Sequence, residues 1–193
     1  MRLVYGLQAF LRGESMLLAR QKRAKKLFDC LSPIYDFINP LIYTSKMRRR
    51  VLDEIEGRRI LDVGVGTGYT TGHIKTSIGI DISWEMVKKC RYRGKIILAD
   101  CMHPPFKPES FDTIISAGSL YYLPYPKKAM KIFYTLLKEG GVLLTVTPCL
   151  KILKPFIHVF SEDELKKLYE HSGFRLEIIE KMRSIAYFCK GRK

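Results

Sequence analysis

The chain has 193 residues, of which 47% are hydrophobic, enough for one well-cored domain and too apolar for a largely disordered chain. Its 34 basic residues outnumber 19 acidic ones, a net charge of +15 that favours anionic partners such as nucleic acid, acidic lipid or phosphorylated metabolites. The longest charge-free stretches, 113–126 and 140–150, fall short of the roughly 20 residues of a bilayer-spanning helix, so no transmembrane segment is expected.

Residues 1–56 read as a helical, basic N-terminal extension, in pieces broken at Gly13 and Pro33. Its start lacks the apolar core of a signal peptide, which predicts a cytoplasmic location. Two apolar stripes, Leu3 to Leu11 and Ala24 to Leu31, recur at helical spacing, and residues 1–50 hold eleven Lys or Arg against three acids. Residues 57–193 then form a second unit that alternates short strands with helices. The expected strands are Arg58–Val63, Ser77–Asp81, Lys95–Ala99, Phe111–Ala117, Val142–Thr147 and a closing hairpin of Phe174–Glu180 and Ile185–Cys189. Between them come a short helix after the glycines near 66, helices over Trp84–Arg91 and Lys127–Lys138, the latter stopped by Gly140-Gly141, and a helix capped by Ser161 and closed by Gly173. The fold class is therefore α/β: a doubly wound, seven-stranded, mostly parallel sheet of Rossmann-like type, with one strand antiparallel. Cysteines 30, 90, 101, 149 and 189 include no C-x-x-C pair, so no disulfide framework and no metal site is indicated.

The stretch "LDVGVGTGYT", residues 61–70, places three glycines behind the first strand. A glycine turn there lets a ligand lie against bare backbone at a helix N-terminus. The dinucleotide spacing G-x-G-x-x-G fails in both registers, since Tyr69 and Thr71 stand where glycine is needed, and no G-K-[ST] closes a P-loop. Asp62 would repel a pyrophosphate but attract an ammonium group, which points to a nucleoside carrying an amino-acid tail. Asp81, ending the second strand, is placed to accept from both ribose hydroxyls. Asp100, after the third, is placed to meet an adenine amine, with Cys101 and Met102 flanking the ring. Each acid alone could be a cap or turn residue; together with the glycines they make a constellation.

The stretches "ILDVGVGTGYTT", "IGIDIS", "ILADCMHPPFKPESFDTIISAGSLYYLP", "LLKEGGVLLTVTP" and "FSEDELKKLYEHSGF" resemble, in order and spacing, the class I S-adenosylmethionine-dependent methyltransferases. With "FDCLSPIYDFINP", they are most similar to the ubiquinone/menaquinone-biosynthesis C-methyltransferase group and related small-molecule enzymes. The resemblance implies S-adenosyl-L-methionine as cofactor. It implies that Asp62, Gly64, Gly66, Thr67 and Gly68 border its methionine part, Asp81 and Ile82 the ribose, Asp100, Cys101 and Met102 the adenine, and Ser116 and Ala117 the sulfonium side. Tyr35 would lie in the segment closing over the cofactor. Tyr122 stands where many relatives carry histidine.

In-line methyl transfer asks the protein for alignment and a water-poor cleft, with no nucleophilic residue. An acidic phenol or ring carbon as acceptor would gain from a base, for which Tyr35, Tyr121, Tyr122 and His158 are the candidates. Three other matches are discounted. Tyr134 and Lys138 fit Y-x-x-x-K but fall at the wrong sheet edge; His103-Pro-Pro-Phe106 follows the third strand instead of the fourth; Cys149 after the fifth strand reads as a loop cysteine.

The main expectation is a methyltransferase for a small, quinone-like or lipid-like acceptor, whose site the N-terminal extension helps to build. One alternative is an RNA methyltransferase using the basic surface, including the run Arg48 to Arg50. Another is a non-catalytic regulatory protein that binds the cofactor. Peripheral membrane contact through the amphipathic N-terminal helices stays open beside these.

Overall fold

A computed structural model describes residues 43–154 and 157–193. The expected N-terminal stripes, and Tyr35 and Cys30 with them, lie outside these residues.

Seven strands form one sheet in the order β3-β2-β1-β4-β5-β7-β6. They are β1 (Ile60–Val63), β2 (Ser77–Asp81), β3 (Lys95–Leu98), β4 (Phe111–Ala117), β5 (Leu137–Pro148), β6 (Arg175–Met182) and β7 (Ala186–Arg192). The first five run parallel, and β7 pairs antiparallel with both β5 and β6. β1 lies between β2 and β4, so the chain winds outward in both directions from this pair. Ligands of such sheets bind at the carboxyl ends of the strands where the winding reverses.

Both faces of the sheet are covered. On one face, α3 (Pro126–Leu136) and α4 (Glu162–Glu170) bury Met130, Phe133, Leu165 and Tyr169 against Leu61, Val63, Ile114 and Leu143. Pro126 starts α3 where a missing N–H costs nothing, and a reciprocal capping box between Ser161 and Glu164 starts α4. On the other face, α1 (Ser45–Leu52) buries Met47 and Val51 with Ile60, Ile115, Leu144 and Phe188. The short α2 (Trp84–Lys89), capped by Ser83, follows β2.

Two expectations are corrected. No α-helix follows the glycines: residues 66–73 run as consecutive turns and bends, because Gly68 takes φ +88° and Gly-Thr-Gly-Tyr-Thr-Thr-Gly is a poor helix former. The helix expected to reach Lys138 ends at Leu136. Leu137 is already extended, fully buried and paired with Phe111; the chain then bends at Gly140, φ +74°, and re-enters register as Val142 meets Thr113. The expected hairpin is present, turning through Arg183 and Ser184 at φ 47° and 57°, the left-handed pair that matches strand twist.

Candidate functional site

An open cleft of about 800 Å³, including the solvent at its mouth, lies at the carboxyl ends of β1, β2 and β4. Asp81 anchors it. Its Oδ2 accepts from the Gly66 N–H at 2.8 Å and its Oδ1 from the Ser83 N–H at 2.8 Å, so the carboxylate ties the glycine loop to the start of α2. Carboxylate oxygens accept more than one bond each, so a ligand hydroxyl can share them. Asp100 lies on the same wall, its Oδ1 accepting from the Met102 N–H at 2.9 Å. Cys101 adds a thiol that burial pushes up to about 12, an apolar contact and no nucleophile at neutral pH. Ile82, 38% exposed, and the buried Met86 complete an apolar wall.

The opposite side comes from the end of β4. Ser119 donates to the Val63 carbonyl at 2.6 Å and pairs with Ser116 Oγ at 2.7 Å. Gly64, φ +70°, makes room for it: a Cβ there would sit 2.5 Å from Ser119 Cβ. At this glycine, what approaches the bare backbone is the protein's own β4 loop. The same holds at Gly68, where a Cβ would meet the Arg91 carbonyl at 2.9 Å.

Of the residues expected around the cofactor, Gly64, Gly66, Asp81, Ile82, Asp100, Cys101 and Ala117 line this one cleft. Thr67, Met102 and Ser116 are buried outside its lining, Ser116 fully, and Gly68 does not line it. Asp62 is the main departure. Leu61 and Val63 belong to one core and Ile60 to the other, so strand alternation turns Asp62 away from the Val63 side, toward the second face. It is 3% exposed, accepts from Thr71 Oγ1 at 2.6 Å, and burial raises its pKa to about 7. The cleft thus presents two of the three expected carboxylates.

Among the base candidates, Tyr122 lines the cleft, and burial raises its pKa, which keeps the phenol protonated. Tyr121 packs on it with ring centres 4.4 Å apart. His158 is outside the lining, its ring against Phe160 and its Nε2 3.9 Å from Glu164. The discounted residues are structural too. Tyr134 packs on Phe174, Lys138 pairs with Asp112, and burial raises the Cys149 thiol, which donates to the Ser184 carbonyl. Ser83, Met86 and Ser119 were missed by sequence reasoning; Ser119, three residues past the Ser116 marker, could have been found from the "SAGS" turn.

Two engaged arginines shorten the supposed basic run. Arg50 pairs with Glu54 and Glu180 and stacks over Phe188, and Arg48 donates to the Tyr69 carbonyl at 2.7 Å.

A strand-end carboxylate fixing a glycine loop, beside an apolar wall at the sheet's winding reversal, defines a nucleoside-binding α/β protein of the Rossmann-like type. Comparison with known proteins carries this to a family. Residues 61–145 match the family model described as a methyltransferase domain. The chain is 31% identical over 169 residues to the ubiquinone/menaquinone biosynthesis C-methyltransferase UbiE of Geotalea daltonii, covering 75% of this chain and 72% of that protein. It is 33% identical over 152 residues to 2-methyl-6-phytyl-1,4-hydroquinone methyltransferase 1 of Oryza sativa subsp. japonica, covering 70% of this chain and 46% of the rice protein. It spans about half the length of the plant relatives it matches. A solved S-adenosylmethionine-dependent methyltransferase from Thermotoga maritima shares the fold at TM-score 0.74 and 20% identity, over 87% of this chain and 99% of that one. So does the cyclase SpnF, at TM-score 0.69 and 17% identity over 77% and 80%, which shows that the fold alone does not fix the reaction. The chain belongs to the class I S-adenosylmethionine-dependent methyltransferases. The cofactor of this family is S-adenosyl-L-methionine, and the paired backbone anchoring of Asp81, the second acid and the apolar wall suit its nucleoside.

Proposed function

We propose that the protein methylates a small, lipid-like hydroquinone or phenol, with S-adenosyl-L-methionine as donor. The observation that carries this reading is Asp81, held by two backbone N–H groups on the wall of the cleft at the carboxyl ends of the strands. The names of the relatives, quinol and quinone methyltransferases, favour the acceptor class.

Asp81 and Ile82 would hold the ribose, Asp100, Cys101 and Met86 the adenine, and Gly64 and Gly66 the amino-acid tail. The bound cofactor supplies an electrophilic methyl group on a sulfonium. The chain's residues orient and exclude water: Tyr122 and Leu123 wall the cleft beside Ala117 and Gly118, and the protonated Tyr122 phenol is a donor to an acceptor oxygen. A lipid-like acceptor would draw the protein to a membrane surface. Among the described residues no helix is long and apolar enough to cross one.

The test is transfer of labelled methyl from the cofactor into separated lipid, RNA and small-metabolite fractions. Label in a quinol of the lipid fraction, lost with Asp81→Ala, is the expected result. Label in RNA alone overturns the acceptor, and label in no fraction overturns the enzymatic reading in favour of a cofactor-binding regulator.

A further inference from the structure

Beyond the cleft, a second groove lies where α1 meets the glycine-rich turns. Arg48, His73, Arg91 and Arg93 line it with the Tyr92 phenol, alongside Gly68 and Gly72. The backbone holds the two later arginines in place: the Arg91 N–H donates to the Thr67 carbonyl at 3.1 Å and the Arg93 N–H to the Gly72 carbonyl at 2.7 Å. Arg48 is fixed by its bond to the Tyr69 carbonyl and places Nη2 3.0 Å from His73 Nδ1. A guanidinium only donates, so Nδ1 accepts, and the imidazole is neutral with its proton on Nε2, a further donor. Burial, Arg48 and Arg93 hold the His73 pKa below its ordinary value, in agreement with that tautomer.

Elsewhere the partly buried cations are matched: Arg50, Lys190 and Arg192 each pair with glutamates. In this groove no carboxylate of the described residues lies within ion-pair distance of Arg48, His73, Arg91 or Arg93. Three permanent cations and a neutral imidazole donor converge without a counter-charge. Guanidinium forks match the oxygens of a tetrahedral oxyanion.

We propose that this groove binds a phosphate group, carried by a small metabolite or by a lipid headgroup. The site is separate from the cofactor cleft, sharing with it only the glycine-rich loop, whose first half serves the cleft and whose second half serves the groove.

The test follows the His73 titration by NMR in the full-length protein labelled with 15N-histidine, at ionic strength matched with NaCl. Inorganic phosphate should raise the His73 midpoint saturably by about one pH unit, because a bound anion favours the imidazolium. Arg91→Ala and Arg93→Ala, at two exposed positions, should each weaken the phosphate response about tenfold. Thermal midpoint and S-adenosylmethionine binding should be retained, which separates this result from failure of the cofactor assignment. Phosphatidylcholine vesicles doped with phosphatidate distinguish the source: a response to the vesicles and not to inorganic phosphate assigns a lipid headgroup, and a response to both assigns a free phosphate group. A shift no larger than NaCl produces, with either probe, overturns the proposal. So does a response confined to a short RNA oligonucleotide.

Discussion

Thr71 Oγ1 donates to Asp62 Oδ2 at 2.6 Å inside the protein, and the Tyr92 hydroxyl lies 2.7 Å from the same Thr71 oxygen. Thr71 has one proton to give, so Tyr92 supplies the next link, and a three-residue chain fixes the acid that opens the glycine loop. Asp62 supports the loop from behind.

That burial has a pH signature. Asp62 moves from 3.8 to about 7 on folding. Between those values the native state holds a proton that the unfolded chain has released, so stability falls as pH rises from about 4 to 7 and levels off above. Asp62→Asn removes this component. Denaturant unfolding at several pH values should show the wild type losing up to about 1.4 kcal/mol per pH unit more than the variant across that window. Parallel pH profiles would refute a buried, titrating Asp62.

Asp81→Ala removes the acceptor for two backbone N–H groups as well as a carboxylate that lines the cleft. Calorimetry should show S-adenosylmethionine binding weakened by about a hundredfold, the scale of two bonds to a charged group. Asp81→Asn, which keeps one acceptor oxygen, should fall between. Equal affinity in all three proteins would remove Asp81 from the site.

Gly64→Ala meets two obstacles, a left-handed φ of +70° and the Ser119 Cβ at 2.5 Å. The backbone part costs about 1–2 kcal/mol and the clash adds to it. Ser119→Gly removes the clash but also the Ser119 bonds to Val63 and Ser116, so the clash is read from a cycle. In denaturant unfolding, Gly64→Ala should cost less stability in the Ser119→Gly background than in the wild type. A single variant as stable as wild type would mean that the β4 loop does not press on this glycine.

Tyr122→Phe tests whether the phenol acts as an anion or as a donor. Burial raises its pKa, so a neutral-pH base role is disfavoured. Rates of methyl transfer should drop by less than about tenfold, the worth of one neutral hydrogen bond, with an unchanged pH profile. Loss of a basic limb from that profile would restore Tyr122 as the base.

The sequence announced the frame because strands and turns are local. β2 and β4 occur at the expected bounds, and Ser161 caps α4 as its three adjoining acids suggested. What escaped depends on direction or distance. "ILDV" is buried at all four positions, so no polar alternation told which way Asp62 points. Gly64 owes its lack of a side chain partly to Ser119, 55 positions later in the sequence. Arg48 and Arg50 looked like a free basic strip because their acceptors, Tyr69 and Glu180, are remote in sequence. Asp81 and Asp100 were legible because the carboxyl end of a parallel strand opens onto the ligand side of the sheet, and a residue in that place is both located and exposed by the strand itself.

Lys190, 8% exposed on β7, gathers Glu54 and Glu56, at 2.8 and 2.7 Å, from the segment joining α1 to β1. Arg192 binds Glu56 and Glu177 alongside, so the ion pairs tie that segment to the antiparallel edge of the sheet. Lys190→Met would take one of two cations away from each of Glu54 and Glu56, which keep Arg50 and Arg192, and with both glutamates partly exposed the loss is about 1 kcal/mol. The Arg192 bonds depress Glu56 from 4.5 to about 2, against the cost of its burial and with help from Lys190. A depressed carboxylate contributes stability above its unfolded value, and that contribution drains away as pH falls from 4.5 toward 2. The wild type should therefore lose more stability than Lys190→Met on acidification through that window, and the two curves should converge at its acid end. Curves that stay separated by the same amount from neutral pH down through that window would show that the lysine acts through packing of its alkyl chain and not through its charge.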